Sequence, residues 1–474
     1  MIKVLTPDIC VIGAGAAGLA VASAAAALGV PVVLVEKGRM GGDSLNTGAV
    51  PSKALIAAAN HAQAARDAAG FGVDADPLKV DFPAMMDHVR RVIAAIEPND
   101  SIERLTGLGV IVVQGAGRFI DSRTVAVGDT RIRARRFVIA TGSRPAIPAI
   151  PNLHAVPYLT SETIFDLKRL PGRLVVLGTG STGLEMAQAF RRLGSEVIVL
   201  EAGKALANED PELAALLLQT LRSEGIEIHE RAKITRVARR GRSGVRLTLE
   251  GSGAATLDAT HLLVADGRRP ELDGLGLKEA RIRFDETGIK VNKRLRTSNR
   301  HVYAIGDVTA SPHLAHSAEY QAGLVVRSML LRSGGRMRPE IIPWVIFTDP
   351  ELAHAGMSEE DAVRCYGRIS VLRWPFSEND RAHMERATRG HVKIVTTPRG
   401  VIVGAEILGR GAGELIAPFV LAVSERMHVK SLSEAVFPYP TRSDAARRAA
   451  GLFQARTLDS PWLKRLIHLL RRFG

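Results

Sequence analysis

One glycine motif occurs twice in this chain, and the repeat constrains the fold more than any other feature. Each copy follows an apolar run and has the spacing G-x-G-x-x-G. In each copy an acidic residue ends the next apolar run, 23 residues after the first glycine (36 − 13 = 201 − 178 = 23). The first copy comprises Gly13, Gly15, Gly18 and Glu36, and the second comprises Gly178, Gly180, Gly183 and Glu201.

This pattern predicts a strand, a tight turn, a helix and a second strand, twice over. The first glycine permits the turn, the second lets backbone N–H groups reach a pyrophosphate, and the third lets helix and strand pack closely. The terminal acid would hold a ribose hydroxyl. The alternative is a pair of structural turns without a ligand. The repeat predicts two dinucleotide sites, and the acid at 201 favours NADH over NADPH because it would repel a 2′-phosphate.

Composition excludes several other classes of protein. A chain of 474 residues has room for about three domains. Two cysteines exclude a disulfide scaffold and a cysteine-rich zinc site, so a reducing cytoplasm is the default location. The net charge of +14 comes with no nucleic-acid-binding motif. Residues 11–35 carry no charge, but Gly13, Gly29 and Pro31 would interrupt a membrane helix.

Further motifs follow in a fixed order along the chain. From about residue 6 to about 455, the sequence resembles the FAD-dependent pyridine nucleotide-disulfide oxidoreductases, the family of dihydrolipoamide dehydrogenase, glutathione reductase and mercuric reductase. The motifs that carry this resemblance are Gly41-Gly42, Pro51-Ser52-Lys53, Ala140-Thr141-Gly142, Gly267-Arg268-Arg269-Pro270, Thr297 with Tyr303-Ala304-Ile305-Gly306-Asp307, Thr348-Asp349-Pro350-Glu351 and Pro440-Thr441.

The resemblance implies an α/β fold with two Rossmann-like dinucleotide-binding domains and a C-terminal α+β dimerisation domain. It places the FAD domain at 1–148 and 268–338, the NAD domain at 149–267, and the dimerisation domain at 341–458. The protein is then expected to be a homodimer that binds FAD and a nicotinamide cofactor.

The resemblance also implies roles for individual residues around the flavin. Asp307 would accept hydrogen bonds from the ribitol chain, and His316 would lie at a helix start whose dipole stabilises negative charge on the ring. Lys53 and Glu185 match a pair that lies beside flavin N5, where a cation favours hydride acceptance. Either could instead be a solvated surface charge. The remaining predicted FAD contacts are Thr141, Gly142 and Gly306.

The sequence differs from this family at the positions that carry out disulfide reduction. Disulfide-reducing relatives carry two cysteines, with four residues between them, where this chain has Ser44 and Ala49. The acid–base His and Glu of the dithiol enzymes are replaced by Tyr439 and Asp444. Neither a hydroxyl nor a methyl group forms the thiolate that attacks a disulfide. Cys10 in the first strand and Cys365 cannot substitute, because they belong to different segments.

These departures predict that electrons leave the reduced flavin for a small-molecule acceptor without a dithiol relay, and a quinone fits this role. Tyr439 would be a hydrogen-bond donor or a wall of the acceptor pocket, and Ser181 would leave the nicotinamide face more open than the Tyr of many relatives. Two alternatives remain. One is a catalytically degenerate flavoprotein that acts as a binding or regulatory subunit. The other is a mercuric or disulfide reductase, if Ser44 and Ala49 are engineered replacements of Cys.

The C-terminal residues 459–474 predict a basic amphipathic helix. Asp459 or Ser460 is the expected N-cap and Pro461 the first helical residue. Apolar residues from Trp462 to Phe473 fall on one side, with Lys, Arg and His on the other. This helix is too short to span a bilayer, but it could lie on an anionic membrane surface or pack on the dimer. The expected location is therefore cytoplasmic, with peripheral contact at the inner face of the membrane.

Overall fold

The computed structural model describes residues 2–74, 78–241, 244–250, 256–310, 313–458 and 461–472. These residues form two compact units. Unit 1 contains 1–203 and 229–339, and unit 2 contains 204–228 and 340–474.

The helices and strands are numbered in chain order. The helices are α1 (Ala16–Ala27), α2 (Gly42–Asn46), α3 (Ala49–Asp67), α4 (Phe82–Ile96), α5 (Ile102–Gly107), α6 (Ser181–Leu193), α7 (Pro211–Ser223), α8 (Ala315–Val326), α9 (Glu359–Tyr366), α10 (Asp380–Met384), α11 (Ala412–Leu415), α12 (Ala417–Ser424), α13 (Val429–Glu434), α14 (Asp444–Leu458) and α15 (Pro461–Leu470). The strands are β1 (Lys3–Leu5), β2 (Ile9–Ile12), β3 (Val32–Glu36), β4 (Ile111–Gln114), β5 (Arg118–Phe119), β6 (Val125–Val127), β7 (Thr130–Ile132), β8 (Arg136–Ile139), β9 (Ser143–Pro145), β10 (Arg173–Leu177), β11 (Glu196–Leu200), β12 (Glu227–His229), β13 (Lys233–Arg240), β14 (Gly244–Glu250), β15 (Thr256–Ala259), β16 (His261–Val264), β17 (Arg268–Pro270), β18 (Phe284–Asp285), β19 (Gly288–Ile289), β20 (Val302–Ala304), β21 (Trp344–Ile346), β22 (Glu351–Gly356), β23 (Ser370–Pro375), β24 (His391–Thr396) and β25 (Ile402–Gly409).

Unit 1 is built on a parallel five-stranded sheet in the order β20-β8-β2-β3-β4. Strand β2 is buried along its whole length, which is why it reads as an unbroken apolar run. Helices α1 and α8 contribute their small and aliphatic residues to the core on one face of this sheet. The strand-turn-helix-strand order predicted for the first glycine motif is therefore confirmed.

The second glycine motif has the same local architecture. Strand β10 pairs in parallel with β11 on one side and with β16 on the other, and α6 connects β10 to β11. An antiparallel sheet of β13, β14 and β15 adds to the core on this side of unit 1. The two predicted Rossmann-like units are thus present.

Unit 2 contains an antiparallel sheet in the order β21-β22-β25-β24-β23, and helices α12, α13 and α14 add to its core. Helix α7 belongs to this unit as well, although the sequence analysis assigned residues 204–228 to the NAD domain. The buried ammonium of Lys393 on β24 explains this packing, since it donates to Asp210 at 2.5 Å and Asp210 caps α7. The domain boundaries proposed from the sequence remain predictions.

Within the described ranges, no helix is long and apolar enough to cross a membrane. The uncharged stretch 11–35 forms β2, α1 and β3, so the glycines do interrupt it as predicted. Helix α15 begins at Pro461, also as predicted, while the expected N-caps Asp459 and Ser460 lie outside the described residues.

Candidate functional site

The first glycine loop has no space for side chains at two of its three glycines. Gly13 has a φ of +105°, and a Cβ there would lie 2.3 Å from the carbonyl oxygen of Ala140. A Cβ at Gly18 would lie 1.8 Å from the carbonyl oxygen of Gly13, so α1 and β2 can approach only because this position is glycine. At Gly15 the nearest atom to such a Cβ is the Cα of Gly42 at 3.9 Å, an ordinary van der Waals contact, so this position has no steric clash.

The second glycine loop repeats these relations closely. Gly178 has a φ of +100°, and a Cβ there would lie 2.5 Å from the carbonyl oxygen of Ala265. A Cβ at Gly183 would lie 2.1 Å from the carbonyl oxygen of Gly178, whereas nothing lies within 4 Å of one at Gly180. Both loops therefore combine two sterically required glycines with one that leaves the backbone accessible, as dinucleotide binding requires.

The two acidic residues occupy equivalent places beside these loops. The N–H groups of Ala14 and Gly38 each donate to the carboxylate of Glu36 at 2.6 Å. In the second copy, Thr179 donates to Glu201 from its N–H at 3.1 Å and from its hydroxyl at 2.7 Å, and the N–H of Gly203 donates at 2.9 Å. Each carboxylate is thus fixed at the end of its strand, next to the glycine loop.

The structure brings Lys53 and Glu185 together from elements far apart in sequence. The Lys53 ammonium on α3 donates to the Glu185 carboxylate on α6 at 2.8 Å. The Glu185 side chain is only 3% exposed, whereas that of Lys53 is 37% exposed. This pair therefore combines a buried anion with a cation that reaches the surface, and the alternative of two solvated surface charges is wrong for Glu185.

Asp307 follows β20 and is held by two polar neighbours. The hydroxyl of Ser143 donates to its carboxylate at 2.7 Å. The guanidinium of Arg268 donates to that hydroxyl at 2.7 Å and lies 3.9 Å from the carboxylate itself. Arg268 also lies 3.4 Å from the carboxylate of Asp43, in the segment that carries Ser44. The motif residue Arg268 therefore links Asp307 to this segment.

The other predicted flavin contacts lie on turns next to the same sheet. Gly142 has a φ of +72° and follows β8, and Thr141 donates from its hydroxyl to the carbonyl of Glu271. Gly306 has a φ of +71°, and its buried N–H donates to the side chain of Gln321. A helix begins at Ala315, as predicted, and His316 is its second residue and is exposed.

Ser44 and Ala49 lie in neighbouring helical segments. Ser44 is part of the short helix α2 and is half-buried, and Ala49 is the first residue of α3 and is exposed. Asp43 orders the turn between them, because it accepts a hydrogen bond from the hydroxyl of Thr47 at 2.6 Å. No sulfur chemistry is available at either position.

Tyr439 and Asp444 lie in unit 2, and neither provides a free base. The Tyr439 hydroxyl donates to the carboxylate of Asp380 at 2.7 Å, and this bond raises the pKa of Tyr439. Asp444 is buried and accepts from Arg447 at 2.8 Å and from Arg448 at 2.6 Å. Burial opposes ionisation of Asp444, but the two guanidinium groups hold its pKa below the usual value.

The two cysteines are poorly suited to redox catalysis. Cys10 is completely buried in β2, and burial raises the pKa of its thiol, which disfavours the reactive thiolate. Cys365 is exposed on α9 in unit 2. In the part of the chain that the structure describes, no group of three or more His, Cys, Asp or Glu side chains could hold a metal ion.

Sequence reasoning missed several of these polar contacts. It gave no role to Ser143, to Asp43 or to Asp380, which hold Asp307, Arg268 and Tyr439 respectively. Arg268 belongs to one of the motifs that carry the family resemblance, but the motif alone does not predict which residues it contacts. For Asp380 the sequence contained no signal, because its partner lies 59 residues further along the chain.

The residues around the first glycine loop fit an FAD molecule. Gly15 has no side chain that would cover the backbone N–H groups, and the carboxylate of Glu36 is fixed beside this loop. Asp307 presents a carboxylate where β20 of the same sheet ends. The second loop, with Gly180 and Glu201, fits a nicotinamide dinucleotide in the same way.

Helix α15 exposes apolar and basic side chains together. Trp462 is 69% exposed, and Ile467, Leu469 and Leu470 are also exposed. On the same helix and just after it, Arg465, His468, Arg471 and Arg472 are exposed as well. The predicted amphipathic character is therefore present, and much of its apolar face is uncovered in the single chain.

Comparison with protein families gives two matches that together cover most of the chain. Residues 7–322 match the profile described as pyridine nucleotide-disulphide oxidoreductase. Residues 342–450 match the profile described as its dimerisation domain.

Curated proteins and solved structures agree with these matches. The chain is 36% identical to a mercuric reductase of Streptomyces lividans, over 94% of this chain and 96% of that protein. It is 35% identical to a dihydrolipoyl dehydrogenase of Geobacillus stearothermophilus, over 93% of this chain and 94% of that protein. Among solved structures, the Cu(II) complex of the HOCl-induced flavoprotein disulfide reductase RclA from Escherichia coli matches with a TM-score of 0.85. Its identity is 27%, over 94% of this chain and 99% of that one.

Proposed function

Because the chain belongs to the pyridine nucleotide-disulphide oxidoreductase family, we propose that it oxidises NADH with FAD and delivers the electrons directly to a non-disulfide acceptor such as a quinone. The observation that carries this proposal is the pair Ser44 and Ala49, which stand where disulfide-reducing relatives have cysteines. A hydroxyl and a methyl group cannot relay electrons as a dithiol does.

FAD would supply the redox chemistry, as a carrier of two electrons between the nicotinamide and the acceptor. The chain contributes binding and orientation. The loops at Gly15 and Gly180 would offer backbone N–H groups to the two pyrophosphates, and Glu36 and Glu201 would orient the two riboses. Asp307 would hold the flavin side chain, with Ser143 fixing the orientation of its carboxylate.

Lys53 would supply positive charge where hydride transfer places negative charge. Glu185 keeps the ammonium in position through the 2.8 Å hydrogen bond, and its burial restricts where the cation can go. A fixed charge of this kind acts without reorganising during the reaction. His316 lies in the first turn of α8, where the positive end of the helix dipole would stabilise the same negative charge.

Tyr439 would not act as a general base in this reaction. Its hydroxyl already donates to Asp380, and the neighbouring carboxylate disfavours formation of a phenolate. A tyrosine hydroxyl has a single hydrogen, and in Tyr439 this hydrogen is already donated to Asp380. We therefore assign Tyr439 to the wall of the acceptor pocket and not to proton donation.

The choice between NADH and NADPH rests on Glu201. Its carboxylate is fixed by Thr179 and Gly203, so it cannot easily turn away from a 2′-phosphate. We expect a kcat/KM ratio that favours NADH by at least about tenfold, which corresponds to about 1.4 kcal/mol. Glu201→Gln should reduce this ratio by raising kcat/KM for NADPH. An unchanged ratio would show that Glu201 does not determine the choice of nucleotide.

Anaerobic stopped-flow mixing with NADH tests the reaction itself. The proposal requires rapid loss of oxidised-flavin absorbance, followed by reoxidation on addition of a quinone and not of lipoamide. Absence of bleaching in FAD-loaded protein would favour the binding or regulatory subunit instead. Reoxidation by lipoamide, or mercuric reductase activity, would contradict the proposed acceptor class.

Thiol dependence provides a second test of the mechanism. Cys365→Ser leaves only the buried Cys10, so this variant has no accessible thiol among the side chains the structure describes. We expect full NADH:quinone activity in Cys365→Ser and in wild-type protein treated with N-ethylmaleimide. Loss of activity in both would show that sulfur takes part. Sequencing the native gene at positions 44 and 49 tests whether these residues are replacements of Cys.

We further propose that the homodimer contacts an anionic membrane through α15, where a quinone would be encountered. The exposed apolar side chains of α15 and its basic neighbours support this assignment. Removal of residues 460–474 should lower sedimentation with anionic vesicles at low salt. Unchanged sedimentation would contradict the proposal, and loss of the dimer on removal would instead assign the apolar face to subunit packing.

A further inference from the structure

A cluster of basic side chains lies at the edge of the main sheet of unit 1 where β8 and β20 begin. It consists of Arg123, Arg136, Arg300 and His301, and we call it the arginine cluster. The His301 Nε2 atom lies 2.9 Å from the Arg123 guanidinium and 3.3 Å from that of Arg300. Its Nδ1 atom lies 3.4 Å from the guanidinium of Arg136. Three cations therefore surround one imidazole ring.

The hydrogen bonding inside this cluster is unbalanced. Guanidinium groups only donate, and a neutral imidazole has one accepting nitrogen. Both ring nitrogens of His301 face guanidinium groups, so at least one of these contacts sets a donor against a donor, and Arg136 donates instead to the backbone carbonyl oxygen of Arg135 at 2.9 Å. Burial lowers the pKa of His301, and the charges of Arg123, Arg136 and Arg300 lower it further, against the opposing effect of a hydrogen bond to the backbone of Arg135. The cluster thus has an excess of donors and of positive charge.

Acidic residues do not compensate this charge. Among the described residues, no carboxylate lies within ion-pair distance of Arg123, Arg136 or Arg300. Asp121 uses its carboxylate to accept from the backbone N–H of Arg123. Asp8 is paired with Arg135 at 2.8 Å.

The cluster is held in place by a buried asparagine. The Asn299 amide donates to the carbonyl oxygens of Ser122 and Ala280, both at 2.9 Å, and its own oxygen accepts from the N–H of His301 at 3.0 Å. This side chain ties the loop that carries Arg123 to the loop that carries His301. The guanidinium groups are therefore brought together by the scaffold, not by mutual attraction.

The cluster is distinct from the proposed FAD site. Strands β8 and β20 are parallel neighbours, and the cluster lies where they begin, whereas Gly142 and Asp307 follow their ends. At about 3.3 Å per residue, three to four residues separate the two edges by roughly 10–13 Å.

From this geometry we infer that the arginine cluster binds a phosphate-type oxyanion. A phosphate group carries several acceptor oxygens and negative charge, and guanidinium groups match its geometry through paired hydrogen bonds. It would satisfy the donors that His301 cannot, and it would offset the repulsion among the arginines. Its source is a free or small-molecule phosphate or a phosphomonoester lipid headgroup, which share this chemistry.

Isothermal titration of FAD-loaded protein with inorganic phosphate tests this site. Saturating NAD⁺ fills the second glycine loop, and constant ionic strength removes the general effect of salt. We expect one saturable site per chain. Arg300→Gln and Arg123→Gln, both at exposed positions, should each weaken phosphate binding at least about tenfold. Retained flavin absorbance and melting temperature verify that the variants fold.

Arg399→Gln is the matched control, because it removes one exposed arginine outside the cluster. It should leave the phosphate affinity unchanged. An equal loss in Arg399→Gln and Arg300→Gln would overturn the inference, since it would show a response to net charge alone.

Vesicles distinguish the two sources of the phosphate group. If phosphatidic acid vesicles bind wild-type protein and Arg399→Gln more tightly than Arg300→Gln, and phosphatidylglycerol vesicles of the same surface charge bind all three equally through α15, the phosphomonoester headgroup is a ligand. Saturable binding of free phosphate without this vesicle dependence assigns a small-molecule phosphate. Absence of both kinds of binding would overturn the site.

Discussion

The ion pair of Lys53 and the buried Glu185 allows a prediction in which stability and catalysis are measured on the same variants. Replacing Lys53 by Met leaves the Glu185 carboxylate, which is 3% exposed, without this cation. Replacing Glu185 by Gln keeps the shape of the side chain and leaves a Lys that is 37% exposed and can be hydrated. We therefore expect Lys53→Met to destabilise the protein more than Glu185→Gln.

The magnitude follows from the 2.8 Å separation of the two charged groups. Coulomb's law gives about 6 kcal/mol at an effective dielectric constant of 20 and about 1.5 kcal/mol in bulk water. A half-exposed cation beside a buried anion lies between these limits. We expect a coupling free energy of about 2–3 kcal/mol, so the double variant should be more stable than the sum of the single effects predicts.

Urea unfolding of wild type, both single variants and the double variant completes the cycle. The control is Lys290→Met, from a pair with Asp285 in which both side chains are nearly half exposed. An exposed pair of this kind contributes little to stability, so Lys290→Met should have a much smaller effect than Lys53→Met. Additive effects of Lys53→Met and Glu185→Gln, within about 0.5 kcal/mol, would refute the electrostatic reasoning.

The same variants test the proposed role in hydride transfer. Loss of a fixed charge beside the reacting centre costs about 10²–10³ in rate in comparable electrostatic sites. Lys53→Met should therefore slow flavin reduction by NADH by about 10²-fold, with a smaller effect from Glu185→Gln, because the cation remains. Stopped-flow reduction at saturating NADH measures this rate. Equal rates of flavin reduction in Lys53→Met and Lys290→Met would show that Lys53 takes no part in hydride transfer.

Three further predictions concern other parts of the molecule. Gly18→Ala would place a carbon 1.8 Å from the carbonyl oxygen of Gly13, so purified protein should contain little FAD per chain. Lys393→Met leaves the buried carboxylate of Asp210 unpaired and should lower the free energy of unfolding in urea by about 3–5 kcal/mol. Affinity for sulfate, whose charge is constant, should rise as the pH falls from about 8 to 6, because a bound anion raises the lowered pKa of His301.

Each of these predictions has an outcome that contradicts it. Gly107→Ala, where nothing lies within 4 Å, should keep its FAD, and equal loss in both glycine variants would remove the steric argument. Lys430→Met, from an exposed pair, should cost less than about 1 kcal/mol. Sulfate affinity that does not change with pH would separate His301 from anion binding, since Arg123, Arg136 and Arg300 keep their charge throughout.

The pH dependence of the Lys393 pair has a definite sign. Burial opposes ionisation of Asp210, but the hydrogen bond from Lys393 holds the pKa of its carboxyl below the usual value. The stabilisation is therefore present above the unfolded carboxyl pKa of about 3.9 and is lost as the pH falls through the lower folded value. Wild type and Lys393→Met should converge in stability at acid pH, as urea unfolding at several pH values would show.

The parts of the fold that the sequence predicted are those with local signals. The order β2, α1, β3 was predicted correctly, because its signals lie in one continuous stretch of sequence: an apolar run, glycines at fixed spacing and a terminal acid. The Lys53–Glu185 pair became predictable only through the family resemblance, because its members are 132 residues apart. Local periodicity contains no information about such a contact.

The contacts of α7 show why other features could not be predicted. Its sequence follows the second glycine motif and contains no signal for a partner far along the chain. Lys393 lies within a fully buried strand and donates to Asp210 across 183 residues of sequence, which ties α7 to the sheet of unit 2. The arginine cluster was missed for the same reason, since three separate segments contribute to it.

The Lys53–Glu185 pair also distinguishes an enzyme from a flavoprotein kept only for binding. Replacing a buried ion pair by apolar residues of similar size is often neutral or stabilising, so such a pair is weak evidence of a structural role. A protein that needed only the fold could therefore dispense with both charges. A reaction that places negative charge on the flavin needs the cation, and the cation needs the buried carboxylate to hold it. The test is a double variant with apolar residues of similar size, Lys53→Met with Glu185→Leu. If this variant is as stable as wild type but is not reduced by NADH, the pair serves the reaction. If it is reduced at the wild-type rate, the case for an enzyme loses this support.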